Sequence, residues 1–137
     1  LSEAEKAEFE ELVIEHDFAH SRGLAGFTFT AAELANINPA RHRLVRTNKA
    51  NGLKSVMIGV HAKCVVGWPE DESRALLDDL LARATRAENT YRHEWRAGDV
   101  IVWDNQAAVH RATEFDTTHH QRLMQRTTIS SGIPVAT

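Results

Sequence analysis

The chain has little of several residue types, and each shortage excludes a class of protein. Its one cysteine, Cys64, excludes an internal disulfide and favours a buried thiol in a reducing compartment such as the cytoplasm. No apolar run is long enough to cross a bilayer, so no membrane partner is expected. The net charge of -3 lacks the basic excess typical of nucleic-acid-binding proteins. What is present, 137 residues of which 42% are hydrophobic and 26% charged, fits one soluble globular domain.

The first third of the chain predicts one helix followed by a loop. Ser2 and Glu5 have the spacing of a capping box, which opens a helix. The next core-type side chains fall on one helical face: Phe9, Leu12, Val13 and His16. The helix is therefore predicted to run to about Ala19. Asparagines and a proline within residues 27–43 indicate a loop.

The rest of the chain predicts short strands around one long helix. The turn Asn51-Gly52 indicates a hairpin, and Pro69 opens a helix with a leucine stripe. The predicted strands are 44–47, 55–60, 64–68, 90–95, 100–103 and 123–129. This pattern predicts a β-rich α+β unit, part of a jelly roll or cupin-like barrel. The strands are fewer than the eight of a complete jelly roll.

The residues that carry chemistry lie near the end of the chain. His110 follows a predicted strand, and Arg122 and Arg126 lie four residues apart on the next one, where they share a face. An imidazole can ligate a metal, and a guanidinium can hold a carboxylate by two parallel hydrogen bonds. The combination favours a non-haem iron site. Taken singly, His110 is also compatible with a structural histidine and the arginines with surface charges.

An iron site of this kind also needs a His-x-Asp or His-x-Glu pair, and the sequence contains neither. Asp104 and Asn105 are predicted to fix the turn before His110 by side-chain to backbone hydrogen bonds. Asp104 is equally compatible with a carboxylate that hydrogen-bonds to a metal ligand. Other interpretations stay open for His61, as pocket or structural residue, and for the adjacent pair His119-His120, as a second metal site or a polar loop. The three tryptophans are predicted to pack in the core: Trp68, Trp95 and Trp103.

These motifs resemble the C-terminal signature of the TauD/TfdA family of iron(II)- and 2-oxoglutarate-dependent dioxygenases. The resemblance is carried by Trp103-Asp104-Asn105, His110-Arg111-Ala112 and Arg122-x-x-x-Arg126-Thr127-Thr128. Further agreement lies in Leu44-Val45-Arg46-Thr47, Lys54-Ser55, His61-Ala62 and Trp95-Arg96-Ala97-Gly98-Asp99. The chain leans towards the branch that resembles 2,4-dichlorophenoxyacetate dioxygenase.

The resemblance implies an incomplete double-stranded β-helix of the clavaminate synthase-like kind, with flanking helices. Residues 1–137 would form the C-terminal part of a single dioxygenase domain, with the N-terminal part and its His-x-Asp motif absent. His110 matches the iron ligand, Arg122 the arginine that binds 2-oxoglutarate, and Arg126 the arginine that faces the substrate anion. The implied cofactors are Fe(II), 2-oxoglutarate and dioxygen, with ascorbate as a candidate stimulant.

Two functions therefore stay open. In the first, the parent protein hydroxylates a small organic anion such as an aryloxyalkanoate, and the chain alone is expected to be inactive. In the second, the chain is a non-catalytic, truncated cupin-like module that binds anions or a partner chain. Association into homo-oligomers is compatible with either. A His-x-Asp motif encoded upstream of Leu1 would decide for the first.

Overall fold

The computed structural model describes residues 1–129, where short antiparallel strands alternate with helices. The helices are α1 (Glu3–Glu10), α2 (Phe18–Leu24), α3 (Ala31–Leu34) and α4 (Glu70–Ala84), with one 3-10 turn at Ala87–Asn89. The strands are β1 (Val13–His16), β2 (Ala40–Arg43), β3 (Val45–Thr47), β4 (Lys54–Val56) and β5 (Ala62–Val65). None of the helices within these residues has the length and apolar character that a bilayer crossing demands.

Two antiparallel sheets organise this part of the chain. The larger has the strand order β2-β1-β5, and Ile14 in its middle strand pairs with His42 on one side and Val65 on the other. The smaller is the β3-β4 hairpin, in which Val45 pairs with Val56. The hairpin that the turn residues predicted is thereby confirmed. The mixed helix-and-sheet class is also as predicted.

The core lies between the larger sheet and α4. Ile14, Leu44 and Val65 are completely or almost completely buried, and Leu77 and Leu80 of α4 pack with them. A buried hydrogen bond joins the two layers, because the backbone N–H of Val65 donates to the hydroxyl of Ser73 at 3.1 Å. The leucine stripe predicted after Pro69 is therefore the buried face of α4.

The prediction of one helix to Ala19 is wrong beyond α1. Val13 and Ile14 are β-branched, which suits a strand, and the hydrogen bonds of β1 come from partners far along the chain. Helix α2 then starts anew, with the Asp17 carboxylate accepting the N–H groups of Ala19 and His20 at 2.8 and 3.2 Å. The predicted loop over residues 27–43 contains α3 and β2 instead.

The strands predicted at 90–95, 100–103 and 123–129 are not formed. A strand needs a neighbour for its backbone N–H and C=O groups, and within residues 1–129 no strand lies beside these segments. Val100, Val102 and Leu123 are accordingly 86%, 88% and 92% exposed. The expectation of a β-rich unit is therefore wrong for the described residues, in which helix outweighs strand.

The tryptophans divide in the same way. Trp68 packs against the core as predicted, in the turn that follows β5. Trp95 and Trp103 belong to the segments that form no strands, and both remain partly exposed to solvent. The core position predicted for these two is wrong.

Candidate functional site

A tight turn precedes His110, and Asp104 holds it together. The Asp104 carboxylate accepts the backbone N–H of Gln106 at 2.8 Å. The Asp104 carbonyl accepts the N–H groups of Ala107 and Ala108 at 3.1 and 3.0 Å. The predicted role of Asp104 is thus confirmed. Asn105 acts differently, because its side-chain oxygen accepts the indole N–H of Trp103 at 2.8 Å.

The turn brings His110 against Trp103. The centres of the imidazole and indole rings lie 4.7 Å apart, and the ring planes are tilted by 54°. His110 is otherwise exposed to solvent. An exposed imidazole on a hydrogen-bonded turn is available to a metal ion, and the contact with Trp103 restricts its orientation.

One side-chain contact ties this turn to the folded body. The Ser55 hydroxyl, on β4, donates to the carbonyl oxygen of Gln106 at 2.7 Å. A cavity of about 170 Å³ lies between the turn and the β3-β4 hairpin, lined in part by Arg46 and Lys54. The turn before His110 is therefore anchored to the β3-β4 hairpin, although His110 itself lies on a segment without regular secondary structure.

Arg122 and Arg126 are both exposed on the final described segment. The Arg122 guanidinium lies over the ring of Phe115, 5.6 Å from its centre, in a cation–π contact. Within residues 1–129, neither arginine forms an ion pair with a carboxylate. Both guanidinium groups can therefore receive an anion from solution.

The other candidate histidines have structural partners. His119 contacts the Asp116 carboxylate at 2.7 Å, and this hydrogen bond, with two backbone N–H groups, lowers the pKa of Asp116. His61 contacts the buried Ser21 hydroxyl at 2.7 Å and stacks on Phe18. These contacts favour the polar-loop interpretation of His119 and the structural interpretation of His61.

The side chains that could ligate a metal limit the kind of metal site that the described residues can form. Across residues 1–129, no group of three or more histidine, cysteine, aspartate or glutamate side chains is arranged to hold a metal ion. A neutral imidazole is a good ligand for iron, so His110 fits one position of such a site. The remaining ligands would have to come from outside this part of the chain.

A half-buried histidine pair was missed in the sequence. His16 and His42 lie on adjacent strands, and their ring centres are 5.5 Å apart. Burial, together with the nearby His42, His61 and Arg46, lowers the pKa of His16 to about 4. The available signal was the β-branched run before His16, which indicates a strand and turns this side chain towards the buried face of Ile14.

Comparison with protein families places this chain in a known group. The model of the "Taurine catabolism dioxygenase TauD, TfdA family" matches residues 1–128. The chain therefore belongs to the TauD/TfdA family of dioxygenases, as its motifs had indicated.

Its relatives include the alpha-ketoglutarate-dependent 2,4-dichlorophenoxyacetate dioxygenase of Cupriavidus pinatubonensis, 38% identical over 93% of this chain and 45% of the relative. The (S)-phenoxypropionate/alpha-ketoglutarate-dioxygenase of Sphingobium herbicidovorans is 32% identical over 95% of this chain and 47% of that protein. The chain thus spans less than half the length of these relatives.

A solved structure also resembles this chain. It is AAD-2 in complex with Mn(II) and N-oxalylglycine, with a TM-score of 0.74 and 39% sequence identity. The similarity covers 78% of this chain and 42% of AAD-2.

Proposed function

We propose that this chain is the C-terminal portion of an Fe(II)- and 2-oxoglutarate-dependent dioxygenase that hydroxylates a small organic anion. The observation that carries the proposal is the family match over residues 1–128, a range that contains His110, Arg122 and Arg126. Both curated relatives described above are named for aryloxyalkanoates, and we propose that class of substrate. Residues 1–137 then belong to one double-stranded β-helix domain, completed by an N-terminal part.

In this proposal His110 provides one of three protein ligands to iron, and a histidine and a carboxylate in the N-terminal part provide the others. The bound iron, with dioxygen and 2-oxoglutarate, supplies the oxidising chemistry and yields succinate and carbon dioxide. The protein binds and orients the two organic anions. The turn fixed by Asp104 and Ser55 holds His110 at a defined place relative to the β3-β4 hairpin.

Arg122 and Arg126 each bind a different anion in this proposal. In the strand that this segment would form in the complete domain, four residues span about 13 Å, which is too far for one small carboxylate to contact both guanidinium groups. Arg122 therefore binds the far carboxylate of 2-oxoglutarate, and Arg126 binds the anionic group of the substrate. A bidentate guanidinium fixes the orientation of each anion as well as its position.

The iron ligand is tested in the full-length protein by His110→Ala. We expect loss of succinate release, because iron would retain only two protein ligands. His120→Ala is the matched control, since His120 is an exposed histidine ten residues away. Normal succinate release by the His110 variant would show that this residue is not a ligand.

The two arginines are separated by steady-state kinetics with each substrate varied in turn. Removing one partner of a desolvated charged pair costs about 2–5 kcal/mol, or roughly a 30- to several-thousand-fold loss of affinity. Arg122→Ala should raise the KM for 2-oxoglutarate, and Arg126→Ala the KM for the prime substrate. Arg92→Ala, at another exposed arginine, controls for loss of charge. Equal effects of both variants on one substrate would refute the division of roles.

One observation favours the second candidate function, a non-catalytic module that binds anions or a partner chain. Residues 90–129 expose apolar side chains and unpaired backbone, which can associate with another chain. Assay of the 137-residue chain alone, with added Fe(II), 2-oxoglutarate and ascorbate, tests whether it turns over without an N-terminal part. We expect no oxygen-dependent succinate from it.

A cytoplasmic location, stimulation by ascorbate and assembly into homo-oligomers stay predictions.

A further inference from the structure

We infer that Trp103 is a positioning residue for His110, and that Asn105 fixes Trp103 in turn. The inference rests on the proposed function, in which His110 ligates the metal. It adds a residue that acts through the ligand and does not itself touch iron, 2-oxoglutarate or substrate.

The contact depends on the turn between the two aromatic residues. Seven residues of straight strand would separate Trp103 and His110 by about 23 Å. The backbone hydrogen bonds to Asp104 fold the chain back, and the ring centres come to 4.7 Å, within the usual range for packed aromatic pairs. The indole N–H is held by the Asn105 side-chain oxygen at 2.8 Å, so the plane of the indole is fixed as well as its position.

His110 has an unusual need for this support. A metal-bound histidine almost always donates its second ring N–H to a carboxylate, a carbonyl or water, which fixes the ring orientation. Within residues 1–129, no side chain or backbone group makes a hydrogen bond with the His110 ring; its defined ring contact is with Trp103. The contact with the indole ring therefore supplies the orientation that a hydrogen bond supplies elsewhere.

The test measures Mn(II) affinity of the full-length protein without oxygen, so it does not depend on turnover. Loss of an outer support of a metal ligand typically weakens metal binding about 10- to 100-fold. We expect Trp103→Leu to raise the Mn(II) Kd by that factor. Trp103→Phe retains an aromatic face and should recover most of the affinity. Asn105→Ala should give an effect between those of the two tryptophan variants, because the indole stays but turns more freely.

The chain offers a closely matched control at Trp95. Its indole contacts His93 with the same ring separation of 4.7 Å and has a similar exposure, 42% against 37% for Trp103. Trp95→Leu therefore measures the general cost of deleting an exposed indole beside a histidine. It should leave the Mn(II) Kd unchanged. Circular dichroism of each variant establishes that the compared proteins are folded.

The outcomes separate the inference from the proposed function. If His110→Ala does not weaken Mn(II) binding, the assignment of the ligand fails. If His110→Ala weakens binding but Trp103→Leu behaves like Trp95→Leu, the ligand stands and the positioning role is overturned. Asn105→Ala leaves the Trp103 side chain in place and so decides the question even where Trp103→Leu does not fold, because an unchanged Mn(II) Kd in this variant would overturn the positioning role.

Discussion

The half-buried His16 should make the stability of this fold depend on pH in a defined window. Within residues 1–129 its buried Nε2 atom has no hydrogen-bond partner, and burial, with the nearby His42, His61 and Arg46, lowers its pKa from 6.5 to about 4. In the unfolded chain His16 therefore takes up a proton near pH 6.5, whereas in the folded chain it is protonated only near pH 4. The stabilisation is fully present above pH 6.5, falls as the pH falls, and is exhausted below about pH 4.

The size of the effect follows from the same shift. At about 1.4 kcal/mol per pKa unit, the full displacement corresponds to roughly 3 kcal/mol. The ring is only half-buried, and screening by water reduces the expected loss of unfolding free energy to about 1–2 kcal/mol. Urea unfolding followed by circular dichroism at pH 7.5, 6.0 and 4.5 measures this loss of unfolding free energy.

The comparison that decides the question is between the unaltered chain and His16→Gln. Glutamine keeps a polar side chain but does not titrate, so the fall in stability between pH 7.5 and 4.5 should be smaller in this variant. His120→Gln, at an exposed histidine, should leave the fall unchanged. An equally steep fall in His16→Gln and in the unaltered chain would refute the reasoning.

Two further predictions concern the core and the functional turn. Ile14→Val should lower the free energy of unfolding by about 0.5–1.5 kcal/mol in urea titrations, because Ile14 is fully buried, whereas Val60→Ala at a 60% exposed site should change it by less than about 0.5 kcal/mol. Ser55→Ala removes the tether of the turn to β4, so trypsin should cleave after Arg111 faster, while cleavage after Arg92 keeps its rate. Unchanged cleavage after Arg111 would mean that the hydroxyl does not hold the turn.

Local signals predicted the parts of the fold that local interactions stabilise. The capping box at Ser2 and Glu5 is present, because both of its hydrogen bonds join residues three apart. Helix α4 was predicted from its leucine stripe and the acidic first turn after Pro69. The β3-β4 hairpin followed from its turn residues, and Gly52 indeed adopts a positive φ of 71°.

Parts that depend on distant partners escaped prediction or were predicted wrongly. Strand β1 could be read as a helical face, since Val13 and His16 are three residues apart, and only pairing with β2 and β5 decides for a strand. The opposite error occurred after Arg86, where segments predicted to be strands do not form them. Within the described residues, no partner strand lies beside these segments. Here the alternation of apolar residues indicates a capacity to pair, which is realised only when a partner strand is present.

The sequence predicted which residues belong to the candidate site, but it did not predict how they are arranged. The order of Trp103, His110, Arg122 and Arg126 along the chain pointed to the family that the comparison then showed. Nothing in that order indicates that Asn105 bonds the Trp103 indole or that Ser55 reaches the turn from 51 residues away. Such contacts depend on how the turn folds back, and a motif specifies this only indirectly.

The strand order of the larger sheet also constrains how this chain folds. Its middle strand, β1, comes first in the sequence, and both neighbours come later, β5 almost fifty residues afterwards. During synthesis the edge of β1 that pairs with β5 must therefore stay unpaired until β5 and the leucines of α4 have left the ribosome. Sheets assembled from such long-range contacts form slowly, typically in milliseconds to seconds. During this interval the unpaired edge of β1 is open to wrong partners, and a chaperone that holds nascent segments would protect it.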